Sequence, residues 1–258
     1  MNQNSDDLAL KEERQRFILD LLEREGRVLA SDLCTKYMVS KDTIRRDLRE
    51  LADVGTIQRV HGGALRRSAG AAPYLCRQAL DIESKIGIAR AAAHLIHDGQ
   101  VVLIDGGTTT LQIAAHLSKG CTASIITNSP PLALALADHP SLSVRLLGGN
   151  LLKDARLTAG IDAIRMIESV RADLCLLGMC SLHPDVGITV NDFEEAHVKR
   201  AMIRASGEVV GLISSGKIGT ALPYVVGPAS QLTHLITDGS SEELVNPYRA
   251  QGIGITIT

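Results

Sequence analysis

A glycine- and threonine-rich turn in the middle of the chain has the composition of an anion-binding site. The apolar run Val101–Ile104 precedes it directly, and the helical pattern Leu111–Leu117 follows. A turn of this kind brings free backbone N–H groups and the positive end of a helix to one point. It has neither the lysine of a P-loop nor the G-x-G-x-x-G spacing, so a phosphate is favoured over a nucleotide. The alternative is a turn that only caps a helix. The turn consists of Asp105, Gly106, Gly107, Thr108, Thr109 and Thr110.

Polar residues also follow other apolar runs. Thr127 and Asn128 follow Ser124–Ile126, and Gly178 follows Leu174–Leu177. The carboxyl ends of parallel strands share one edge of a sheet, where ligands collect, so we expect these residues to lie close together.

Two further charged positions have simple structural alternatives. Glu195 begins a helical pattern and Lys199 lies one turn later, but acidic residues are common at helix starts. Lys217 follows the apolar run Val209–Ser214, and an exposed surface lysine is the alternative there.

A second group of polar and basic residues, suited to contacting DNA, lies in the first quarter of the chain. Ser40 is a good N-cap for a helix that runs to about Ala52, with Ile44, Leu48 and Leu51 on one apolar face. We expect Arg46 to pair with Asp42. The opposite face carries Lys41, Asp42, Thr43, Arg45, Arg46 and Arg49.

Two further helices are predicted before this one, so it is the third helix of a predicted helix-turn-helix domain. A first helix is predicted over Arg14–Glu25, and a second begins after Ser31 as N-cap or slightly earlier. Residues 56–67 form a predicted hairpin, a basic wing suited to phosphates or the minor groove, with Arg59 and His61 among its DNA-binding residues. An arginine-bearing solvated face is the simpler alternative, but the turn, helix and hairpin together favour DNA binding.

Composition excludes several classes of protein. The 258 residues are 45% hydrophobic, and their formal net charge is −2, typical of an ordinary globular protein. The five cysteines are scattered, and the histidines lack metal-ligand spacing, so we predict no disulfide framework, metal or cofactor. No stretch resembles a membrane span or a secretory signal. These features predict a cytoplasmic protein without a membrane partner.

The chain divides into two domains. Residues 1–67 carry a net charge of +1, from 13 basic and 12 acidic residues. Residues 68–83 begin with small residues and are predicted to be a flexible linker. From residue 84 to 258, seven apolar runs alternate with helical patterns, which predicts a mostly parallel α/β sheet covered on both faces. The runs are Val101–Ile104, Ser124–Thr127, Ser143–Leu147, Leu174–Leu177, Val209–Ser214, His234–Thr237 and Ile253–Ile257.

The first domain resembles the amino-terminal domain of the DeoR family of bacterial transcriptional regulators. The most specific matching segments are VSKDTIRRDLRELADVG and the HGGA turn. The resemblance implies a winged helix-turn-helix in a sequence-specific repressor or, less often, an activator.

The second domain resembles the effector-sensing domain of the same family, which is similar in fold to ribose-5-phosphate isomerase. Matching segments include DGQVVLIDGGTTT, TNSPPLA, LLGGN and EEAHVKRAMI. The resemblance implies that Asp105 binds sugar hydroxyls and that Gly107 to Thr110 hold a phosphate, with Thr127, Asn128, Glu195 and Lys217 around them. Ser214 to Gly216 and Ile218 depart from the family pattern, which leaves the identity of the effector open.

Three functions remain distinguishable. An isomerase needs a carboxylate base; residues 178–182 hold none, although Asp105 and Glu195 remain available. An interaction module with a vestigial cleft would bind no phosphosugar. We favour a non-enzymatic transcription factor that binds operator DNA and a phosphorylated sugar effector, works as a homo-oligomer (dimer or tetramer), and represses a sugar catabolic operon.

Overall fold

The amino-terminal domain is three helices packed on a small antiparallel sheet. A computed structural model describes the backbone of residues 3–239 and 242–258, with side chains from Leu10 onward. The sheet order is β1-β3-β2, and the core includes Ile18, Leu33 and Ile44. The elements are α1 (Gln3–Glu25), β1 (Arg27–Leu29), α2 (Ala30–Tyr37), α3 (Lys41–Asp53), β2 (Ile57–Val60) and β3 (Gly63–Arg66).

The predicted helix-turn-helix and wing are confirmed, with two local differences. Helix α1 begins at Gln3, eleven residues before the predicted start. Helix α2 begins at Ala30, which is the slightly earlier of the two predicted starts; Leu29 occupies the N-cap position, without a side-chain cap. The short strand β1 was not predicted; it pairs with β3 and closes the wing against the helices.

Residues 68–83 are docked on the second domain, which contradicts the predicted flexible linker. The segment contains a 3₁₀ turn (Ala69–Ala71) and helix α4 (Tyr74–Gln78), and α5 already begins at Ile82. The Ser68 hydroxyl donates to the carbonyl of Cys180, and the Tyr74 amide donates to the carbonyl of Asp154 at 2.7 Å. Small residues allow close approach here. The domain boundaries at 67 and 83 stay predictions.

The second domain is built on a seven-stranded parallel sheet, in the order β15-β14-β12-β9-β4-β5-β6. All seven predicted strands belong to it. From β4 the chain first adds β5 and β6 on one side and then β9, β12, β14 and β15 on the other. The carboxyl ends of β4, β5, β9 and β12 therefore lie at or next to the point where the strand order switches direction. The strands are β4 (Val101–Ile104), β5 (Ser124–Thr127), β6 (Ser143–Leu146), β9 (Ala172–Gly178), β12 (Ser206–Leu212), β14 (His234–Thr237) and β15 (Gly254–Ile257).

Helices cover both faces of this sheet, as the alternation predicts. Successive residues of β4 point to opposite cores: Val102 packs with the α5 side and Leu103 with the α8 side. The predicted helix after the glycine turn is instead a 3₁₀ helix (Thr110–His116). Among the described residues, no helix is long and apolar enough to cross a membrane. The α-helices are α5 (Ile82–Ala93), α6 (Pro130–Ala135), α7 (Ile161–Glu168), α8 (Phe193–Arg204) and α9 (Glu242–Arg249).

Five short antiparallel strands, which the sequence did not predict, lie beside the main sheet. A hairpin joins β7 (Asn150–Leu152) to β8 (Leu157–Ala159). A small sheet of order β10-β11-β13 contains Ser181–His183, Gly187–Val190 and Tyr224–Gly227. These pieces are three or four residues long, too short for a clear alternating pattern.

Replacing Gly70 with alanine tests the docking of the segment. A Cβ at residue 70 would lie 2.1 Å from the carbonyl oxygen of Cys180, so the segment would have to lift off. We expect Gly70→Ala to lower the free energy of unfolding by about 1–3 kcal/mol, measured by urea denaturation followed by circular dichroism. Gly120→Ala is the control, because its Cβ would meet no atom closer than 4.0 Å. Equal stability of the two variants would contradict a docked segment.

Candidate nucleic-acid interface and ligand site

Helix α3 presents its polar face to solvent. The Ser40 hydroxyl accepts a hydrogen bond from the Thr43 amide at 3.1 Å, which confirms the predicted N-cap and fixes the start of the helix. Ile44, Leu48 and Leu51 are buried beneath it. The exposed side carries Lys41, Asp42, Arg45, Arg46 and Arg49, with Thr43 half-buried.

Helix α1 anchors α3 through ion pairs that the sequence analysis missed. Asp47 is buried, and Arg14 donates to both of its carboxylate oxygens, at 2.5 and 3.1 Å. Lys11 pairs with Glu50 at 2.7 Å. Because both acidic partners lie on α3, the orientation of this helix is set by charge as well as by apolar packing.

The expected pairing of Arg46 with Asp42 is wrong. Asp42 instead faces Arg45, at 3.7 Å and three residues later. For Arg46 the described part of the chain provides no hydrogen-bond or ion-pair partner. Its exposed guanidinium therefore starts without a competing contact that base or phosphate binding would have to break.

A concave basic surface joins α3 to the wing. This groove of about 470 Å³ lies between α2, α3 and the β2–β3 turn. Four of the predicted DNA-binding residues line it: Lys41, Arg45, Arg59 and His61. The fold thus brings the helix and wing residues to one surface, as backbone-positioning contacts beside a reading helix require.

The last arginines of the wing do not belong to this surface. Arg66 donates to the carbonyl of Gly216 at 2.8 Å, and Arg67 donates to the side chain of Asn191 at 3.2 Å. Both acceptors belong to the second domain. The expectation that the whole basic hairpin faces DNA is therefore wrong for its final two residues, which join the two domains.

The second site is a buried ion cluster at the carboxyl edge of the parallel sheet. The Lys199 ammonium, on α8, donates to the carboxylate of Asp105 and to the carbonyl of Gly178 at 2.7 Å. It also pairs with Glu195 at 3.3 Å. Burial alone would lower the pKa of Lys199, but the two carboxylates outweigh it and raise the pKa, so the ammonium stays charged. The i, i+4 spacing of Glu195 and Lys199 was the available signal for this pair.

Polar groups without partners surround this cluster. Within the described residues, Oδ1 of Asp105, Oγ1 of Thr108 and Nδ2 of Asn128 are buried and make no hydrogen bond. The amide oxygen Oδ1 of Asn128 accepts a hydrogen bond from the Gly106 N–H at 2.9 Å, so the Asn128 side chain is held in place. Buried polar atoms in folded proteins are normally satisfied. Three such atoms on neighbouring strand ends are typical of a ligand-binding or hydrated position.

The glycine–threonine turn itself is closed over. Thr108, Thr109, Thr110 and Thr127 are buried, while Gly107 is partly exposed. Leu157 of β8 covers the turn, since a Cβ on Gly106 would lie 2.4 Å from its side chain. The β7–β8 hairpin therefore lies between the turn and solvent.

The open cavity at this edge has a volume of about 210 Å³. Glu195 lines it, but the three threonines do not. Its remaining walls come from the docked segment (residues 70–73 and Arg77), from residues 152–155, and from Cys180, Asn191 and Asp192. Lys217 is buried nearby, and its role and those of the threonines stay predictions.

Proton-transfer chemistry is disfavoured at this edge. Asp105 and Glu195, the carboxylates left open as bases, are both held by Lys199. Burial, reinforced by Glu195, raises the pKa of the Cys180 thiol to about 11, so it is protonated near neutrality and a poor nucleophile. The described residues contain no cluster of three or more side chains suited to a metal.

Two family models match the two domains. Residues 14–69 match the DeoR-like helix-turn-helix domain, and residues 80–239 match the DeoR C terminal sensor domain. The chain belongs to the DeoR family. Its predicted fold class, a winged helix-turn-helix followed by a mostly parallel α/β domain, is confirmed, and the chain is a DNA-binding transcriptional regulator rather than an enzyme.

Two sequence relatives, GlcR and the glycerol-3-phosphate regulon repressor, agree with this membership. The chain is 37% identical over 231 residues, 88% of each protein, to the HTH-type transcriptional repressor GlcR of Bacillus subtilis (strain 168). It is 32% identical over 227 residues to the glycerol-3-phosphate regulon repressor of Escherichia coli (strain K12), covering 88% of this chain and 90% of that protein. Ribose 5 phosphate isomerase A from Neisseria gonorrhoeae aligns with a TM-score of 0.38 and 15% identity, over 55% of this chain and 54% of its own.

Removing Arg46 should weaken operator recognition selectively. If Arg46 contacts a base edge, Arg46→Ala lowers operator affinity by about 1–3 kcal/mol and relaxes the sequence preference at one position. The measurement is binding at fixed salt to an operator selected from a random pool and to random DNA. Arg171→Ala, which changes an arginine just before β9 on the opposite edge of the sheet, is the control. An equal loss on both DNAs would make Arg46 a phosphate contact.

Removing Lys199 should destabilise the sensor domain in a pH-dependent way. Lys199→Ala leaves two carboxylates buried without their cation, which costs about 3–5 kcal/mol near neutral pH. Because burial raises the pKa of Asp105, protonation at lower pH relieves the penalty, and the deficit should shrink from pH 7.5 to pH 5. Urea denaturation at both pH values measures it, with the exposed Lys119→Ala as control. A pH-independent deficit would argue against buried carboxylates as its cause.

Proposed function

We propose that this regulator represses an operon for the use of a sugar or sugar derivative, under control of a phosphorylated sugar metabolite. The relatives named above are a transcriptional repressor and a glycerol-3-phosphate regulon repressor, which supports repression and a small phosphorylated effector. We place the effector at the carboxyl edge of the parallel sheet, where the family resemblance and the buried polar atoms coincide.

The unsatisfied atoms around Lys199 carry this proposal. Asp105, Thr108 and Asn128 present an acceptor, a hydroxyl and an amide donor that the protein leaves without partners. Sugar hydroxyls both donate and accept, so they suit such a mixture. Leu157 lies over Gly106 of the turn, so we infer that binding of a ligand at the turn would move the β7–β8 hairpin.

Operator binding is proposed to use at least two copies of the chain. The first 67 residues carry a net charge of only +1, which supplies little non-specific attraction to DNA. Two linked heads raise the overall affinity through effective concentration. We therefore propose a homo-oligomer, a dimer or tetramer, that acts on the chromosome in the cytoplasm.

Effector control follows if the ligand binds two arrangements of the heads with different affinities. Operator affinity at fixed salt, measured with a panel that includes glycerol 3-phosphate and the phosphates of pentoses and hexoses, should change by about 5- to 150-fold with at least one compound. The unphosphorylated counterpart is the control and should have no effect. A phosphosugar that binds the protein but leaves operator affinity unchanged would contradict the proposal.

A further inference from the structure

The segment that leads out of the DNA-binding domain forms one wall of the 210 Å³ cavity. Gly70, Ala71, Ala72 and Pro73 lie along it, and Arg77 of α4 lies beside them. The facing walls are the β7–β8 turn and the sheet edge that carries Glu195. Any molecule in this cavity therefore contacts the segment joining the two domains.

Arg77 faces the cavity with unused hydrogen-bonding capacity. Its Nε donates to the carbonyl of Ala72 at 2.8 Å, which fixes the base of the guanidinium. Its two terminal nitrogens donate to none of the residues that the structure describes. The guanidinium lies 5.9 Å from the ring centre of Tyr74, whose side chain is buried. The guanidinium of Arg77 is thus held in place with both terminal nitrogens available as hydrogen-bond donors, an arrangement suited to binding an oxyanion.

A second cation, Lys217, lies close by and forms no ion pair within 4 Å among the described residues. The Lys217 side chain is only 8% exposed, yet within residues 3–239 and 242–258 its ammonium has no hydrogen-bond or ion-pair partner. Burial lowers the pKa of Lys217. The neighbouring Cys180 opposes this, Arg77 lowers the pKa further, and the carboxylates of Asp81 and Asp238 raise it. Buried lysines are rarely left unpaired. An anion bound between Arg77 and Lys217 would satisfy both.

A third cation, Lys85, holds the wall in place rather than competing for the anion. Its buried ammonium donates to the backbone carbonyls of Arg77 and Leu80. These contacts tie the end of α4 to α5 of the sensor domain. The position of Arg77 is therefore fixed from both sides, by Lys85 and by Ala72.

We propose that Arg77 and Lys217 together hold the phosphate of the effector, so that the interdomain segment is itself part of the ligand site. This inference rests on the proposed function and adds a residue and a route of regulation to it. Glu195, on the opposite wall, is then left for the hydroxyls of the same ligand.

The neighbouring contacts give the site a direct route to the DNA-binding domain. Arg66 of the wing holds the carbonyl of Gly216, the residue before Lys217. Arg67 holds Asn191, which lines the cavity, and also donates to the carbonyl of Gly55 at 3.2 Å, behind α3. A phosphate held by Arg77 and Lys217 therefore contacts both the docked segment and the loop to which the wing is attached.

The test measures binding of inorganic phosphate to the full chain by isothermal titration calorimetry. Arg77→Gln should weaken phosphate binding about 10- to 100-fold, as expected for loss of a charge-assisted contact. Arg77→Lys should recover part of the affinity, because it restores the charge but not the fork. Arg171→Gln, the matched change at the opposite sheet edge, should bind phosphate like the unmodified protein.

The outcomes separate this inference from the function on which it rests. Unchanged phosphate affinity in Arg77→Gln, with binding by the unmodified protein intact, overturns the role of Arg77 and leaves the proposed effector class standing. If the unmodified protein binds neither phosphate nor any phosphosugar, both fail. If Arg77→Gln has a lowered melting temperature, the phosphate affinity of Arg77→Lys is compared with that of the unmodified protein instead. Full affinity in Arg77→Lys would show that the guanidinium is not needed and would overturn its proposed role.

Discussion

The buried ammonium of Lys199 is the interaction on which the sensor domain depends. A charge removed from water must be matched by opposite charge and hydrogen bonds, and this one is matched by Asp105 after β4, Glu195 on α8 and the carbonyl of Gly178 at the end of β9. Three elements are therefore fixed around one atom. The other carboxylate oxygen of Asp105 has no hydrogen-bond partner among the described residues. The cluster that stabilises the carboxyl edge of the sheet therefore also leaves it an acceptor for a polar ligand.

The contacts packed against this edge connect it to the DNA-binding domain. The residue at position 70 must be small because Cys180 approaches its backbone closely, and the segment containing it continues directly from the wing. Arg27 adds an exposed ion pair with Asp185 at 3.0 Å, which contributes little by itself. In the proposed coupling, a bound anion would rearrange these polar contacts.

The sequence predicts the parts of this protein that repeat a regular pattern. The seven strands of the parallel sheet and the Ser40-capped helix were predictable, because apolar runs and a capping serine act locally. The docked segment was not, because serine, glycine and alanine suit both a flexible linker and a close backbone contact. Lys199 was recognised only as a neighbour of Glu195, since its pairing with Asp105 spans 94 residues of sequence. Arg66 and Arg67 were counted with the basic wing, because composition does not show which way a side chain points.

We propose that one equilibrium links metabolite binding at the sheet edge to operator binding at α3. Thermodynamic linkage requires the effect to be reciprocal. The most direct measurement is therefore the affinity of the full chain for its most effective phosphosugar, with operator absent and with operator saturating. If one equilibrium links the two sites, operator changes the phosphosugar affinity by the same factor by which the phosphosugar changes operator affinity. Equal phosphosugar affinities in the two states, beside a demonstrated effect on operator binding, would contradict it.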